Sequence, residues 1–491
     1  MRLRAGAVVL VAATGCAQLA GIDETTGLVP PERVSLRLTR RSIGATIVDA
    51  PLDVSNLSAT FLVANADAPE GFDRVPAEAF PDAFTWSAEI PEGTPSILFN
   101  APDYPVPIQR VWNLANRNLE GLYGVMEHPS PTPAPANAML TVQAALLTPY
   151  DATESFSLLS IGTWNTRPFT DVTEVPAVGA TQFGPVTFPF TSTSKLTNRP
   201  HEKITTADAV LLLRYVGTRL TGVMEAPPFD QTGDDMLIGS MIDVGTGQTL
   251  TAQLDNTTVS PRYAPLRPAM GNIQMGWLVV AAPGFETANM SGPALLSGVV
   301  TAMDPATLSV SFDNPFVAKG WPTTMQWGTS ASRTFTPAGA PGPATLSAGL
   351  YQIVAPTPMM TLDLPAGLPE LISLDSQTLS SDGVMIPRPT KALTASFLTG
   401  PATITLYQMQ LYELVPNMAG TALDYKVVFA VTATTNQFIF PPEAFEPGKS
   451  YTLRAIAVNG GYPSVADGDL TVRTLPLAVG YMDSGVFTVM P

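Results

Sequence analysis

Short runs in which apolar and polar residues alternate recur along this chain from Val34 onward. Apolar side chains take every second position in Val34 to Thr39, and similar runs follow at Ile43 to Val48, Ser58 to Ala64 and Phe84 to Ile90. These runs are rich in β-branched and aromatic residues, and Pro, Gly or Asp interrupts the chain between them, which is typical of strands separated by turns. The pattern predicts an all-β chain.

Strand patterns continue to the end of the chain. The apolar runs with this character in the second half are Gly276 to Ala282, Leu295 to Met303, Leu308 to Phe312, Leu350 to Val354, Leu393 to Leu398, Ile404 to Val415, Tyr425 to Ala433 and Gln437 to Phe440. In the first half, Ala209 to Val216 is a further strand, and Ile108 to Leu114 with Leu119 to Glu127 is predicted to form a hairpin. We expect antiparallel β-sandwiches arranged in tandem.

The segment from Phe445 to Asn459 resembles the sixth strand of a fibronectin type III domain. The family has a hydrophobic residue, a Pro-Gly turn and a tyrosine that opens an alternating strand, and these roles fall here on Phe445, Pro447, Gly448 and Tyr451. A tyrosine at such a corner packs its ring on the core while its hydroxyl bonds to nearby backbone. The resemblance implies a fibronectin type III-like domain over residues 371–491, and a generic immunoglobulin-like sandwich remains the alternative.

A repeated sequence motif suggests how the rest of the chain divides into domains. Arg117 to Pro129 is echoed about a hundred residues later by Arg219 to Pro227, each after an apolar strand. One interpretation is two sandwich domains at residues 34–148 and 149–255, and the other is a chance match within one larger sandwich. Residues 256–370 form a further β-rich region. Several domains are expected in any case, because single cores stop growing near ~250 to 300 residues.

Composition agrees with a folded strand-and-turn protein. Hydrophobic residues make up 45% of the 491 and charged residues only 13%, while 48 prolines and 38 glycines are spread through the chain. So many prolines would break the helices of a helical protein of this size.

The first sixteen residues have the layout of a secretory signal. Arg2 and Arg4 precede an apolar run from Ala5 to Ala13, and small residues lead up to Gly15 and Cys16, the only cysteine. This ending resembles the lipobox of bacterial lipoproteins. The resemblance implies cleavage between Gly15 and Cys16, so that residues 1–15 are removed, and lipid such as palmitate on Cys16.

The residues after the cleavage point extend this resemblance. Ala17 is not Asp, which in the family implies the outer membrane, and Cys16 to Asp23 is similar to the start of myxobacterial lipoproteins. Residues 16–33 are then an acylated tether rich in polar residues and proline. Two alternatives stay open: an ordinary secretory peptide that leaves Cys16 buried, and an uncleaved apolar helix. Nine apolar residues are too few to span a bilayer, which takes ~20.

Charge restricts the partners. Removing Arg2 and Arg4 leaves 23 basic residues against 41 acidic ones. Nucleic acid is therefore not an expected partner, because phosphate binding needs clustered Lys and Arg. With its single cysteine assigned to lipid, the mature chain is expected to fold without disulfides.

We find no catalytic motif. The two histidines, His128 and His201, are both predicted to be exposed loop residues, and no nucleophile elbow, phosphate loop or zinc-spaced pair occurs. The acidic loops Asp230 to Asp235 and Asp467 to Asp469 are predicted to be solvated turns rather than calcium sites. Trp321 and Trp327 invite a sugar-binding interpretation, but a buried place in a sandwich core is favoured.

The sequence therefore predicts a lipid-anchored, noncatalytic protein of the cell envelope, acting as a binding, adhesive or structural module. We expect no enzyme activity, no cofactor and no metal. The expected partners are the outer membrane, through the lipid on Cys16, and an envelope protein or polysaccharide, on either the periplasmic or the surface face. The rival hypotheses are a carbohydrate-binding accessory lipoprotein, with exposed aromatic rings on one sandwich face, and an envelope hydrolase, with carboxylates around His128 or His201.

Overall fold

The structure is a computed structural model. It describes residues 32–55, 58–65, 67–80, 84–90, 96–100, 109–113, 118–128, 132–195, 201–254, 273–285, 292–300, 306–362, 364, 367–400, 402–417 and 419–491. The predicted signal, Cys16 and most of the predicted tether lie outside these ranges.

Strands form the regular structure of the described ranges, which contain no α-helix. The strands of the first half are β1 (Glu32–Ile43), β2 (Ile47–Pro51), β3 (Ala59–Ala64), β4 (Phe72–Pro76), β5 (Glu78–Ala79), β6 (Thr85–Ile90), β7 (Ser96–Asn100), β8 (Gln109–Asn113), β9 (Asn118–Glu127), β10 (Met139–Ala145), β11 (Glu154–Ile161), β12 (Asn165–Phe169), β13 (Gln182–Pro189), β14 (Ser194–Lys195), β15 (Ala209–Val216), β16 (Arg219–Glu225), β17 (Asp234–Ser240) and β18 (Ile242–Asp243).

The strands of the second half are β19 (Gln248–Leu254), β20 (Gln274–Ala281), β21 (Ala294–Val300), β22 (Ala306–Phe312), β23 (Thr323–Phe335), β24 (Ala344–Val354), β25 (Met359–Leu362), β26 (Pro369–Leu374), β27 (Gln377–Thr378), β28 (Val384–Ile386), β29 (Leu393–Thr399), β30 (Leu406–Pro416), β31 (Leu423–Ala433), β32 (Gln437–Phe440), β33 (Ser450–Gly460), β34 (Leu477–Asp483) and β35 (Phe487–Val489). Short 3-10 helices occur at Phe190–Ser192, Val317–Lys319, Pro442–Ala444 and Val465–Asp467. The predicted all-β, tandem sandwich class is confirmed.

One sandwich is built from β10 to β18. A three-stranded sheet in the order β13-β10-β17 faces a six-stranded sheet in the order β14-β12-β11-β15-β16-β18. Leu140, Phe156, Phe183 and Leu212 pack between the two sheets. β10 lies before the predicted boundary at residue 148 but pairs with β13 and β17, which follow it. This sandwich therefore uses residues from both sides of that boundary.

The N-terminal sheet has the order β2-β1-β6-β5, and β9 joins β1 in parallel. Its buried residues include Leu36 and Trp86, which share a cluster with Phe61 of β3 and with Leu406 and Val479 from the C-terminal region. β8 lies in a different sheet, between β7 and β31. The predicted hairpin of β8 and β9 is therefore wrong: the chain passes from one layer to the other instead of turning back.

The largest sheet joins distant parts of the chain. It runs β21-β20-β23-β24-β34-β33-β30-β31 and continues through β8-β7-β3-β4. Its central joint is the antiparallel pair of β24 and β34, from Ala348 opposite Met482 to Ile353 opposite Leu477. Residues of β19, β20, β23, β26, β29 and β33 bury their apolar side chains in one continuous core. The smaller sheets β22-β19-β25 and β27-β26-β29-β32 contribute to this core. Each forms a sandwich with part of the largest sheet, so the two C-terminal sandwiches are fused through that shared sheet.

The end of that sheet connects the two halves of the molecule. β8 pairs in parallel with β31, so that Gln109 lies opposite Phe429. A second link lies nearby, where the backbone of Glu120 exchanges hydrogen bonds with Gly468 and Leu470 at 3.0 and 2.9 Å. No helix in the described part of the chain is long and apolar enough to cross a bilayer.

Candidate functional site

The predicted lipidation site, Cys16, and the predicted cleavage point at Gly15 lie outside the described residues. Lipidation at this position stays a prediction.

The predicted fibronectin-like corner lies at the start of β33. Gly448 has a φ of +78°, in the left-handed region that glycine adopts without strain after Pro447. The Tyr451 hydroxyl accepts a hydrogen bond from the Glu446 backbone N–H at 2.8 Å, and its ring stacks on Phe487 with 5.9 Å between centroids. Burial raises the pKa of Tyr451 to about 12. The neutral ring and its hydrogen bond hold this corner together.

His128 is fully buried, so its predicted exposure is wrong. Its Nε2 lies 2.8 and 2.9 Å from the two carboxylate oxygens of Asp208, and the Thr205 backbone N–H donates to the same carboxylate at 2.7 Å. His128 follows β9 and Asp208 precedes β15, so the pair ties the N-terminal sheet to the next sandwich. A histidine enclosed in this way has no access to a substrate.

His201 has a separate environment. It is half-buried, and its Nε2 lies 3.1 Å from the Thr193 carbonyl oxygen. Its ring packs edge-on against Phe190. The structure therefore does not bring the two histidines together, and His201 serves to hold a loop.

In both acidic loops, aspartate side chains accept hydrogen bonds from nearby residues of the same loop. Asp469 accepts hydrogen bonds from the N–H and hydroxyl of Thr471 at 2.7 and 2.6 Å, and Asp235 accepts from the Thr232 N–H at 3.2 Å. These are the local bonds of turns that carry Asp. Within the described ranges, no group of three or more His, Cys, Asp or Glu side chains is placed to hold a metal ion.

Trp321 and Trp327 are both buried, which confirms their predicted place in the core. Trp327 is fully enclosed in the shared core of the C-terminal sandwiches. Trp321 stacks on Phe316 and donates its Nε1–H to the Ala45 carbonyl oxygen at 2.8 Å. Neither ring is free to bind a sugar.

The outer face of the shared sheet carries a groove across the joint of β24 and β34. One hollow of about 710 Å³ lies over β20, β23 and β24, and a second of about 370 Å³ lies over β33 and β34. Tyr351 and Tyr481 line both hollows and connect them. We call this surface the joint groove, and the residues that define it are Gly276, Gln326, Gly328, Tyr351, Arg473 and Tyr481.

Glycines make the floor of the first hollow. Gly276 and Gly328 lie opposite each other on β20 and β23. A Cβ built on Gly276 would meet only one atom within 4 Å, the Gly298 carbonyl oxygen at 3.6 Å. A Cβ on Gly349 would lie 2.5 to 2.7 Å from three atoms of the Tyr481 side chain, so this side chain lies directly over the glycine. The floor is therefore open, and Tyr481 borders it.

Two arginines with different surroundings lie in the second hollow. Arg454 donates to both carboxylate oxygens of the buried Asp483 at 2.7 and 3.0 Å. Burial alone would lower the pKa of Arg454, but the Asp483 carboxylate outweighs burial and raises it. Arg473 packs its guanidinium over the Tyr462 ring, 5.3 Å from the centroid. Burial also raises the pKa of Tyr351 to about 12, and the Arg473 charge opposes this rise.

Comparisons with known proteins identify no family, since neither a family nor a curated protein sequence matches this chain. Among solved structures, native alpha-2-macroglobulin of Escherichia coli is similar at 10% identity over 94% of this chain and 28% of that one, with a TM-score of 0.13. The form of the E. coli protein activated by porcine elastase is similar at 11% identity over 92% of this chain and 30% of that one, with a TM-score of 0.13. A proposed cell adhesion protein from Parabacteroides distasonis is similar at 8% identity over 82% of this chain and 99% of that one, with a TM-score of 0.10.

This chain thus spans less than a third of the macroglobulin length. TM-scores this low carry no argument about shared fold or function. The joint groove, by its geometry, is the candidate site.

Sequence reasoning missed the joint groove. Tyr351 falls within the predicted strand Leu350 to Val354, whereas Tyr481 and Arg473 belong to no motif that the sequence analysis singled out. The signal that could have pointed to them is glycine opposite tyrosine on neighbouring strands, as in Gly328 with Tyr351 and Gly349 with Tyr481. That signal becomes visible only when the register between the strands is known.

Proposed function

We propose that this chain is a lipid-anchored, noncatalytic binding protein of the bacterial cell envelope, and that its ligand lies in the joint groove. The observation that carries the proposal is the groove itself: a glycine floor bordered by aromatic rings and amide side chains across the fused sheet. Binding sites combine apolar walls with a few placed polar groups in this way. The lipobox-like ending at Cys16 supports the anchor.

The groove favours a carbohydrate as the ligand. Flat aromatic rings present apolar faces to the C–H faces of a sugar ring, while their polar edges remain available for hydrogen bonds. The Oε1 atom of Gln326 is buried with no hydrogen-bond partner in the described structure, so a sugar hydroxyl could donate to it. A hydrolase is not supported by these observations, because His128 is enclosed with Asp208 away from solvent.

The anchor is tested by metabolic labelling. Radiolabelled palmitate is expected to enter the wild-type protein and to be lost completely from Cys16→Ser, because the sulfur is the only acyl acceptor proposed. The measurement is label per amount of protein after immunoprecipitation from the membrane fraction. Label that persists in Cys16→Ser would rule out this anchor.

The ligand site is tested by a glycan array with the detergent-solubilised full-length protein. Binding to one class of glycans is expected, together with its loss in Gly276→Leu. The leucine side chain would enter the open floor without a backbone clash, since only a 3.6 Å contact awaits its Cβ. Val172→Leu, an enlargement at a position that is 84% exposed and lines neither hollow of the groove, is the control. An array without any signal above background would defeat the carbohydrate proposal.

A further inference from the structure

The joint groove contains a cation, Arg473, that no carboxylate in the described part of the chain neutralises. Within the described residues Arg473 makes no ion pair and no hydrogen bond, and its Nε is buried. Arg454, in the same hollow, is paired with Asp483 and also donates a hydrogen bond to the Ser347 hydroxyl. The chain has 41 acidic residues against 25 basic ones, yet none of the described acids lies against Arg473. A partly buried guanidinium without an acid is costly unless a ligand supplies the anion.

The position of Arg473 is held by its loop. The loop between β33 and β34 is bonded to β9 through the backbone of Glu120, and the Thr474 N–H donates to the Gly461 carbonyl oxygen at 3.0 Å next to Arg473. The guanidinium lies against the ring of Tyr462. Arg473 is therefore preorganised, so little entropy would be lost on binding an anion.

The rest of the groove indicates the kind of anionic ligand. Tyr481 lies over Gly349 with the Arg454 guanidinium 5.4 Å from its ring centroid, Tyr351 lies beside it, and the buried Gln326 oxygen is an unused acceptor. The groove floor is the face of the sheet around Gly276 and Gly328. The strands that carry these two glycines, β20 and β23, are each paired with a neighbouring strand on both sides, so their backbone groups are already hydrogen-bonded. An extended peptide usually binds through free backbone groups at a strand edge, and this floor has none. An acidic sugar needs none of these backbone groups. It binds through aromatic side chains that pack against its ring, hydrogen-bond partners for its hydroxyls and a cation that pairs with its carboxylate.

We propose that the joint groove binds an acidic oligosaccharide, a chain of pyranose units that carry carboxylates. One carboxylate pairs with Arg473, a neighbouring ring packs against the groove wall formed by Tyr351 and Tyr481, and a hydroxyl donates to Gln326. The inference rests on the proposed function and narrows its ligand from carbohydrates in general to uronate-type chains. A guanidinium matches the planar geometry of a carboxylate through two parallel hydrogen bonds.

The test compares tetragalacturonate with its methyl ester, which has the same rings without the charges. Isothermal titration calorimetry is done on the detergent-solubilised full-length protein. Wild type is expected to bind tetragalacturonate at least about tenfold more tightly than the ester, because a hydrogen-bonded charge pair contributes about 1.5–3 kcal/mol. Arg473→Gln should remove this difference by bringing the affinity for tetragalacturonate down to that for the ester, while Arg473→Lys should keep part of it.

Two further variants separate the groove from general charge effects. Arg388→Gln removes the same charge from an exposed position outside the groove, and it should bind both probes as wild type does. Gly276→Leu should weaken both probes at least about tenfold, because it fills the floor on which the rings lie.

Three outcomes would overturn the inference: equal affinity for the acid and its ester, an Arg473→Gln variant that binds tetragalacturonate as wild type does, or a Glu-rich peptide that competes for the groove at the same concentration. Binding of neutral glycans alone would defeat the acidic specificity but leave the proposed carbohydrate function in place. The palmitate experiment tests the anchor independently of either result.

Discussion

Trp327→Ala is expected to lower the free energy of unfolding by about 3–5 kcal/mol, the usual cost of removing a fully buried large aromatic side chain. Trp327 has no exposed surface and lies within the continuous core of the C-terminal sandwiches. Its Nε1 has no hydrogen-bond partner in the described structure, so alanine removes packing alone. The change should be measured by urea unfolding of the purified protein, followed by far-UV circular dichroism.

The shared core adds a second expectation for Trp327→Ala. Residues of β23 and β33 belong to one cluster, and β24 pairs with β34 along the joint. Protease-sensitive sites in residues 306–362 and 367–491 should therefore become exposed at the same urea concentration. Met359→Ala, at a position that is 80% exposed, is the control and should change stability by less than about 0.5 kcal/mol. Separate unfolding of the two regions would show that the cores are independent.

Arg214→Met is expected to cost a similar amount, about 3–5 kcal/mol, because it leaves a buried charge without its partner. Arg214 is buried in β15 and donates to the carbonyl oxygens of Thr148 and Pro149 at 2.8 and 2.9 Å and to Glu154 at 2.6 Å. These bonds fix the chain where it enters β11. Thermal unfolding of the purified variant measures the loss.

A double variant distinguishes a lost charge partner from lost packing. Arg214→Met combined with Glu154→Leu should recover much of the stability, because no unpaired carboxylate then remains in the interior. Arg74→Met is the matched surface control: Arg74 pairs with Glu70 and Glu443, but all three side chains are over a third exposed. It should cost less than about 1 kcal/mol. A loss of that small size for Arg214→Met would contradict the expected effect.

Local pattern was enough to find the strands. The run Ala209 to Val216 is β15 to the residue, and the runs at Leu393, Tyr425 and Gln437 begin within two residues of β29, β31 and β32. Side chains of a strand alternate between two faces, so one buried face leaves a period of two in the sequence itself. The all-β class followed from the same signal.

Pairing between distant strands has no such local signal. The hairpin of β8 and β9 was predicted from their closeness in sequence, whereas β8 pairs with β7 and β31, and β9 pairs with β1. His128 was assigned to an exposed loop because prolines follow it, but Asp208, eighty positions later, draws it into the interior. The joint groove depends on the pairing of β24 with β34, and its residues could not be assembled without it.

The parallel pair of β8 and β31 has a consequence for biosynthesis. The partner of Gln109 is Phe429, more than three hundred positions later, so the ribosome must deliver most of the polypeptide before this edge of β8 is closed. Domains usually fold in order as the chain emerges, but here the earliest strands have to wait for nearly the last. A nascent chain of this topology carries an open strand edge until late in its synthesis, which makes a holding chaperone useful to it.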